Sequence, residues 1–280
     1  MTQATHTTEA SRGPIAGPRL NAVSVVTLGV VAVYLTMVIG LVLTDLCYTD
    51  AASFREVVKS RAILAAMRLS LFSSGASLCL IVLFAVPAGY ALSRYQFPGH
   101  ALVDAIVDLP IVLPPVVVGV SLLVFFNTAV GRWIEAHSLR FVYTVQGIIL
   151  CQFVVSASYG IRAAAAAFDS VDRRLEHVAL TLGCTPAQAF RRVALPMARN
   201  GIVAGAIMAW AHAFGLFGPL MVFAGSVRFK TEVMATTIYL ELSIGRIEVA
   251  LAVALVMLAM ASVALVVIHA LASGHRWWGR

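Results

Sequence analysis

Charge is what this chain has least of. Only 12% of its 280 residues are Asp, Glu, Lys or Arg, against roughly a quarter in ordinary soluble domains. Lysine occurs just twice, as Lys59 and Lys230. Neither follows a glycine, so the Gly-Lys-Ser/Thr core that cradles phosphates is missing and no Walker-type ATPase is encoded. The HExxH, GxSxG and dinucleotide fingerprints are absent as well. Four cysteines (Cys47, Cys79, Cys151 and Cys184) stand singly, with no CxxC and no histidine at metal spacing. They read as small apolar filler, neither a metal site nor a disulfide framework. No catalytic cluster, cofactor or metal is expected.

What the chain has in excess is apolar length. It is 60% hydrophobic, with a mean hydropathy of +0.91. A transmembrane helix needs about 20 mainly apolar residues, and six stretches qualify: Ala22–Leu43, Leu69–Leu92, Leu102–Phe126, Tyr143–Ala167, Gly201–Ala224 and Ile247–Leu271. The fold class expected is therefore all-α, a polytopic membrane protein with about six spans. The first run is too long for a signal-peptide core and is expected to be retained. Residues 1–21 read as a disordered cytoplasmic tail, 22–43 as the first span, 62–272 as the main transmembrane domain and 273–280 as a basic cytoplasmic tail. The formal charge of +7 reads as a topology signal, not as nucleic-acid affinity. The basic residues divide almost evenly between the two sides. The dense arginine cluster from Arg162 to Arg199 favours cytoplasmic termini.

Ser70, Ser73, Ser74 and Ser77, and the Gly201-x-x-x-Gly205 pair, suit close helix approach in lipid. Pro110, Pro114 and Pro115 interrupt the third run, and broken backbone at membrane depth is tolerated only in protein or beside a watery path. Asp104 and Asp108, four apart, read as structural or interfacial carboxylates at the edge of that span. His212 is the one titratable group set deep in a run. It can line a pathway or hydrogen-bond a neighbouring helix, and the sequence leaves both open.

Residues 169–199 break the pattern. Val171, Leu175, Val178 and Leu182 share one helical face, with Asp169 or Ser170 as the expected cap. Gly183 reads as a left-handed stop. Thr185 then starts a second helix, with Pro186 at its first position and Gln188 at capping-box spacing. Phe190, Val193 and Ala194 give it an apolar side, and Arg191 and Arg192 a wet one. Leu195-Pro196 is expected to end it. A DNA-binding helix-turn-helix is excluded by the loop's attachment to the bilayer at both ends. A plain interfacial connector and a docking knob for a cytosolic partner remain.

This segment resembles the cytoplasmic coupling loop of ABC-importer permeases, whose pattern is E-A-A, three residues, G, nine residues, I-x-L-P. Gly183, Val193 and Leu195-Pro196 take its fixed points and Ala179 its second alanine. His177 and Val178 stand where Glu and Ala are usual, with Glu176 one residue early. Elsewhere Ser93–Gly99, Asp108-Leu109-Pro110, Leu113–Gly119, Phe217-Gly218 and Phe223-Ala224-Gly225 are similar to permeases for tetrahedral oxyanions. His212 and Leu216 replace the arginine and glutamate common in that branch.

The resemblance implies a permease subunit of an ATP-driven importer that passes molybdate first of all, then tungstate, sulfate or thiosulfate. It implies two copies of an ABC ATPase, a second permease copy, an extracytoplasmic substrate-binding protein and a bacterial or archaeal plasma membrane as surroundings. Coupling to the ATPase would involve Glu176, His177, Ala179, Gly183, Thr185 and Pro186, then Phe190, Arg191, Val193, Leu195 and Pro196. Pro114, Pro115, His212, Gly215 and Phe217 would line the pathway. An ion-gradient-driven secondary transporter is the alternative, but it lacks an internal repeat and deep charges for support.

Overall fold

The computed structural model describes residues 22–273. The expected tails, 1–21 and 273–280, lie outside the described residues except for Ser273, which ends the last helix. Every regular element among them is helical. In order they are α1 (Ala22–Tyr48), α2 (Ala51–Lys59), α3 (Arg61–Arg94), α4 (His100–Val112), α5 (Pro115–Asn127), α6 (Ala129–His137), α7 (Val145–Asp169), α8 (Arg173–Thr181) and α9 (Pro186–Ala189). A π-helical turn (Phe190–Ala194) leads into α10 (Leu195–Phe214), followed by α11 (Gly218–Phe223), α12 (Met234–Ser243) and α13 (Ile247–Ser273). Five helical stretches are long and apolar enough to cross a membrane, or six if the bent pair α4–α5 counts as one span.

The chain divides into two units, one ending at Thr44 and the other starting at Asp45. The first contains most of α1, a run of apolar residues with no charge before Asp45. The second is built around α3, α7 and α10. Small residues let these helices approach closely, as packing in lipid demands. A Cβ added to Gly201 or Gly205 would lie 2.6 Å from the Ala167 Cβ or 2.2 Å from the Ala163 Cβ, so α10 lies directly on α7 at these two positions. The serine stripe of α3 is buried and partly bonded: the Trp210 indole N–H donates to Ser74 Oγ at 3.1 Å, and the Met234 backbone N–H donates to Ser70 Oγ at 2.8 Å.

Two expected spans need correction. The third run is not one helix: α4 and α5 meet at 110°. The break falls at Leu113-Pro114, whereas Pro110 is accommodated inside α4. Pro115 occupies the first turn of α5, where its missing N–H costs nothing. The fifth span does not run over Gly201–Ala224. It begins at Pro186 and ends at Phe214 as one 29-residue helix, and 218–223 form a separate short helix.

Leu195-Pro196 therefore does not end the second short helix. Pro196 has no N–H and its ring clashes with the preceding turn. A wider turn absorbs the strain: the Leu195 N–H bonds the Phe190 carbonyl, five residues back, and the helix runs on. Such π-turns are rare and are enriched at functional places.

Candidate functional site

The 169–199 segment folds as a bent knob between α7 and α10. Gly183 holds φ +91°, a conformation that L side chains rarely adopt. It reverses the chain after α8. Thr185 and Gln188 close a reciprocal capping box: the Gln188 N–H donates to Thr185 Oγ1 at 3.3 Å, and the Thr185 N–H donates to Gln188 Oε1 at 2.9 Å. Pro186 opens α9. The N-cap of α8 is Asp172, which accepts from the Arg174 N–H at 2.9 Å, and not Asp169 or Ser170. Asp169 is the last residue of α7 and accepts from Ser93 Oγ at 2.6 Å.

The apolar stripe of α8 points the other way from its buried face. Val171 is buried just before the helix, but Leu175, Val178 and Leu182 are exposed, Leu182 to 80%. The residues α8 buries are Glu176 and Ala179. The reason is a pair of partners at the end of α3. Tyr90 Oη donates to Glu176 Oε2 at 2.7 Å, and Arg94 Nε donates to Glu176 Oε1 at 2.7 Å. Arg94 Nη2 donates to the Val171 carbonyl at 2.9 Å, Arg94 Nη1 to Ser93 Oγ at 3.2 Å, and Arg173 donates to the Ser93 carbonyl. A buried carboxylate is stable only when paired and hydrogen-bonded, so this bonding pins the Glu176 face of α8 inward and leaves the leucines outward.

His177, Pro186, Arg191, Arg192 and Pro196 are exposed, whereas Ala189 and Ala194 are buried. Phe190, Val193 and Leu195 are half-buried. The Phe190 ring meets Tyr90 edge-on at 4.6 Å, and Tyr90 meets Phe168 at 5.2 Å.

The candidate pathway residues cluster around two helix breaks that meet. A Cβ on Gly218 would lie 2.5 Å from Val116 Cγ2, and one on Gly119 would lie 2.7 Å from the Pro219 Cα. The Leu113-Pro114 and Gly215–Phe217 breaks are thereby brought side by side. The Phe217 ring lies 5.3 Å from that of Tyr239. His212, one turn before Gly215, has its Nδ1 3.0 Å from Ser156 Oγ on α7, and its ring lies 4.5 Å from Tyr159. The helix-to-helix hydrogen bond is thus present. Leu216 belongs to the apolar cluster with Val118, Ile148 and Val155, surroundings in which a glutamate would be costly.

Asp104 and Asp108 are not free edge carboxylates. Arg162 donates Nη1 to Asp104 Oδ1 at 2.7 Å and Nε to Asp108 Oδ1 at 2.5 Å. Arg162 belongs to α7 itself, and its pairing with α4 removes it from the set of loop arginines that set topology. No group of three His, Cys, Asp or Glu that could hold a metal occurs among the described residues.

The residues whose part in the site sequence reasoning passed over are Tyr90 and Arg94, and Asp169 was given a capping role in place of its bond to Ser93. Arg94 lay in view as part of the Ser93–Gly99 motif, but its partner is 82 residues away and no local signal joins them.

Comparison with known proteins fits this geometry. The chain is 38% identical over 194 residues to the molybdate/tungstate transport system permease protein WtpB of Pyrococcus abyssi, covering 68% of this chain and 74% of that one. It is 30% identical over 245 residues to the sulfate transport system permease protein CysT of Escherichia coli, covering 87% and 88%. A chain of the crystallised bacterial alginate ABC transporter shares the fold at TM-score 0.70 and 21% identity, over 88% of this chain and 92% of that one. The family model described as "Binding-protein-dependent transport system inner membrane component" matches residues 81–276. With most of the chain inside that match, the protein belongs to the inner-membrane components of binding-protein-dependent transport systems.

Proposed function

We propose that this protein is the permease subunit of an ATP-driven importer for a tetrahedral oxyanion, molybdate or tungstate before sulfate or thiosulfate. The relatives' names support that substrate class. A doubly charged oxyanion cannot cross hydrocarbon unaided, since its desolvation costs tens of kcal/mol. A polar-lined passage open to one side at a time removes that cost, and weak sites along it allow release. Selectivity then rests with an extracytoplasmic binding protein, in keeping with the family's description. The shared fold with a chain of an ABC transporter weighs against the ion-gradient alternative.

The observation that carries the mechanism is the outward apolar stripe of α8. Leu175, Val178 and Leu182 lie exposed, and the same knob exposes basic residues at Arg174, Arg191 and Arg192. This is the chemistry of a short helix that enters an apolar groove with an acidic rim. The groove belongs to a cytosolic ATPase, since the chain has no phosphate-binding loop of its own. Two permease copies pair above two ATPase subunits, with the termini in the cytoplasm. Closure of the ATPases moves the knob, Gly183 keeps its bend, and the π-turn at Phe190–Ala194 passes the motion into α10. Pro114, Pro115, Gly215 and Phe217 form the flexible break beside the path. His212 offers it a hydrogen-bonding group.

The test is reconstitution with ATPase and binding protein in vesicles. The wild type should take up molybdate only with ATP. The V178D/L182D variant, altered only at exposed positions, should insert normally but lose both ATPase co-purification and uptake. Full ATPase retention in that variant would refute docking through this face.

A further inference from the structure

The knob is chained to α7 and α10, yet its strongest bonds go to neither. They go to α3. The nine residues of α8 are too few to hold a position by helix propensity alone, so tertiary contacts decide where it sits. The end of α3 takes hold of the knob at two places and of its root in α7 at a third. Phe168, at its entry, packs against Tyr90. Glu176, in its body, accepts from both Tyr90 and Arg94. Phe190, at its exit, packs on the other contact of the same Tyr90 ring. The side chains of Arg94 and Glu176 are only 7% and 9% exposed, so water screens this pair little.

We propose that Tyr90, Arg94 and Glu176 form a strut that carries the knob's movement into α3, making α3 a driven span alongside α7 and α10. This rests on the reading that an ATPase grips the knob. Two features of α3 suit it to the task. Pro87, one turn before Tyr90, lacks the N–H that would bond the Leu83 carbonyl, which gives the helix a place to pivot. Farther along, Ser74 and Ser70 bond Trp210 of α10 and the backbone of Met234 at α12. Displacement at the knob therefore reaches elements far along the helix through direct bonds. Two-state coupling through packed helices and hydrogen bonds is the physical requirement for such a relay.

Single substitutions in a buried ion pair strand a charge, so the test removes both charges together. In the E176Q/R94M double variant, with melting temperature checked in detergent, the ATPase should co-purify at the wild-type level. The ATP hydrolysed per molybdate imported should rise about tenfold, the scale of an ordinary coupling effect. A merely structural staple would lower the melting temperature or the ATPase yield and leave the ATP-to-molybdate ratio unchanged. An unchanged ATP-to-molybdate ratio in the double variant would overturn the strut. So would loss of ATPase binding, because the pair would then be shaping the docking face. Failure of the docking reading is seen separately, as ATPase retention by V178D/L182D.

Discussion

Buried carboxylates hold the structure together at two places, one of them on α3, and the two are built on different terms. At its C-terminal end, both oxygens of Glu176 are taken at 2.7 Å and Arg94 spends every nitrogen on a protein partner. At α12 and the turn before it, Glu232 and Glu241 are as deeply buried, each at 2%, but each keeps an Oε2 without a hydrogen bond. Arg228 donates to Glu241 at 2.8 Å and lies 4.0 Å from Glu232, and Arg246 bridges Glu241 to Glu56 on α2. Both arginine side chains are 40–50% exposed. The first arrangement is a saturated joint that resists rearrangement. The second is an unsaturated cluster whose arginines stand half in water. A relay needs the former where force enters and tolerates the latter where elements must slide.

The contrast is breakable by substitution. The largest effect is expected from E176A, which leaves Arg94 and Tyr90 buried without an acceptor. Losing one partner of a buried pair costs about 3–5 kcal/mol, read as a fall in melting temperature in detergent or lost expression. R246A should cost about 1 kcal/mol or less, because a half-exposed arginine is screened by water, and its effect should shrink further in high salt. Equal losses in the two variants would erase the distinction.

The smallest effect concerns Glu232. Burial pushes its carboxyl above the ordinary carboxylate range, opposed by the Thr237 hydroxyl and by Arg228. A raised value means the folded protein holds that proton more tightly than the unfolded chain. The ionised carboxylate therefore weakens the fold as pH rises from the ordinary carboxylate value through the raised one. E232Q should melt slightly above the wild type at about pH 8, and the gap should close toward about pH 5. A gap that widens on acidification would reverse the sign assigned to this burial.

Several features of the knob were legible in the sequence because they are local. Gly183 as a left-handed stop and the Thr185/Gln188 box each involve residues within a few positions of one another. The proline break at Pro114 was visible for the same reason. The facing of α8 was not. Its periodicity identified a stripe of Leu175, Val178 and Leu182, and the ordinary rule turns such a stripe inward. Here a carboxylate with two distant partners outweighs it. Pro196 likewise read as a terminator, because a π-turn that lets the helix continue leaves no mark in composition.

By itself the sequence determined that the chain lives in a bilayer, that it is helical, and that its two lysines build no Walker-type loop. Those follow from hydropathy, length and the absence of a phosphate-binding loop, which depend on no contact. Only the tertiary structure decided that Arg162 pairs with Asp104 and Asp108, that Arg94 and Tyr90 claim Glu176, and that two helix breaks lie against each other. Such pairings join residues tens of positions apart. They are fixed by how the helices pack, and at Glu176, cut off from water, the buried charge must find its partner across the fold.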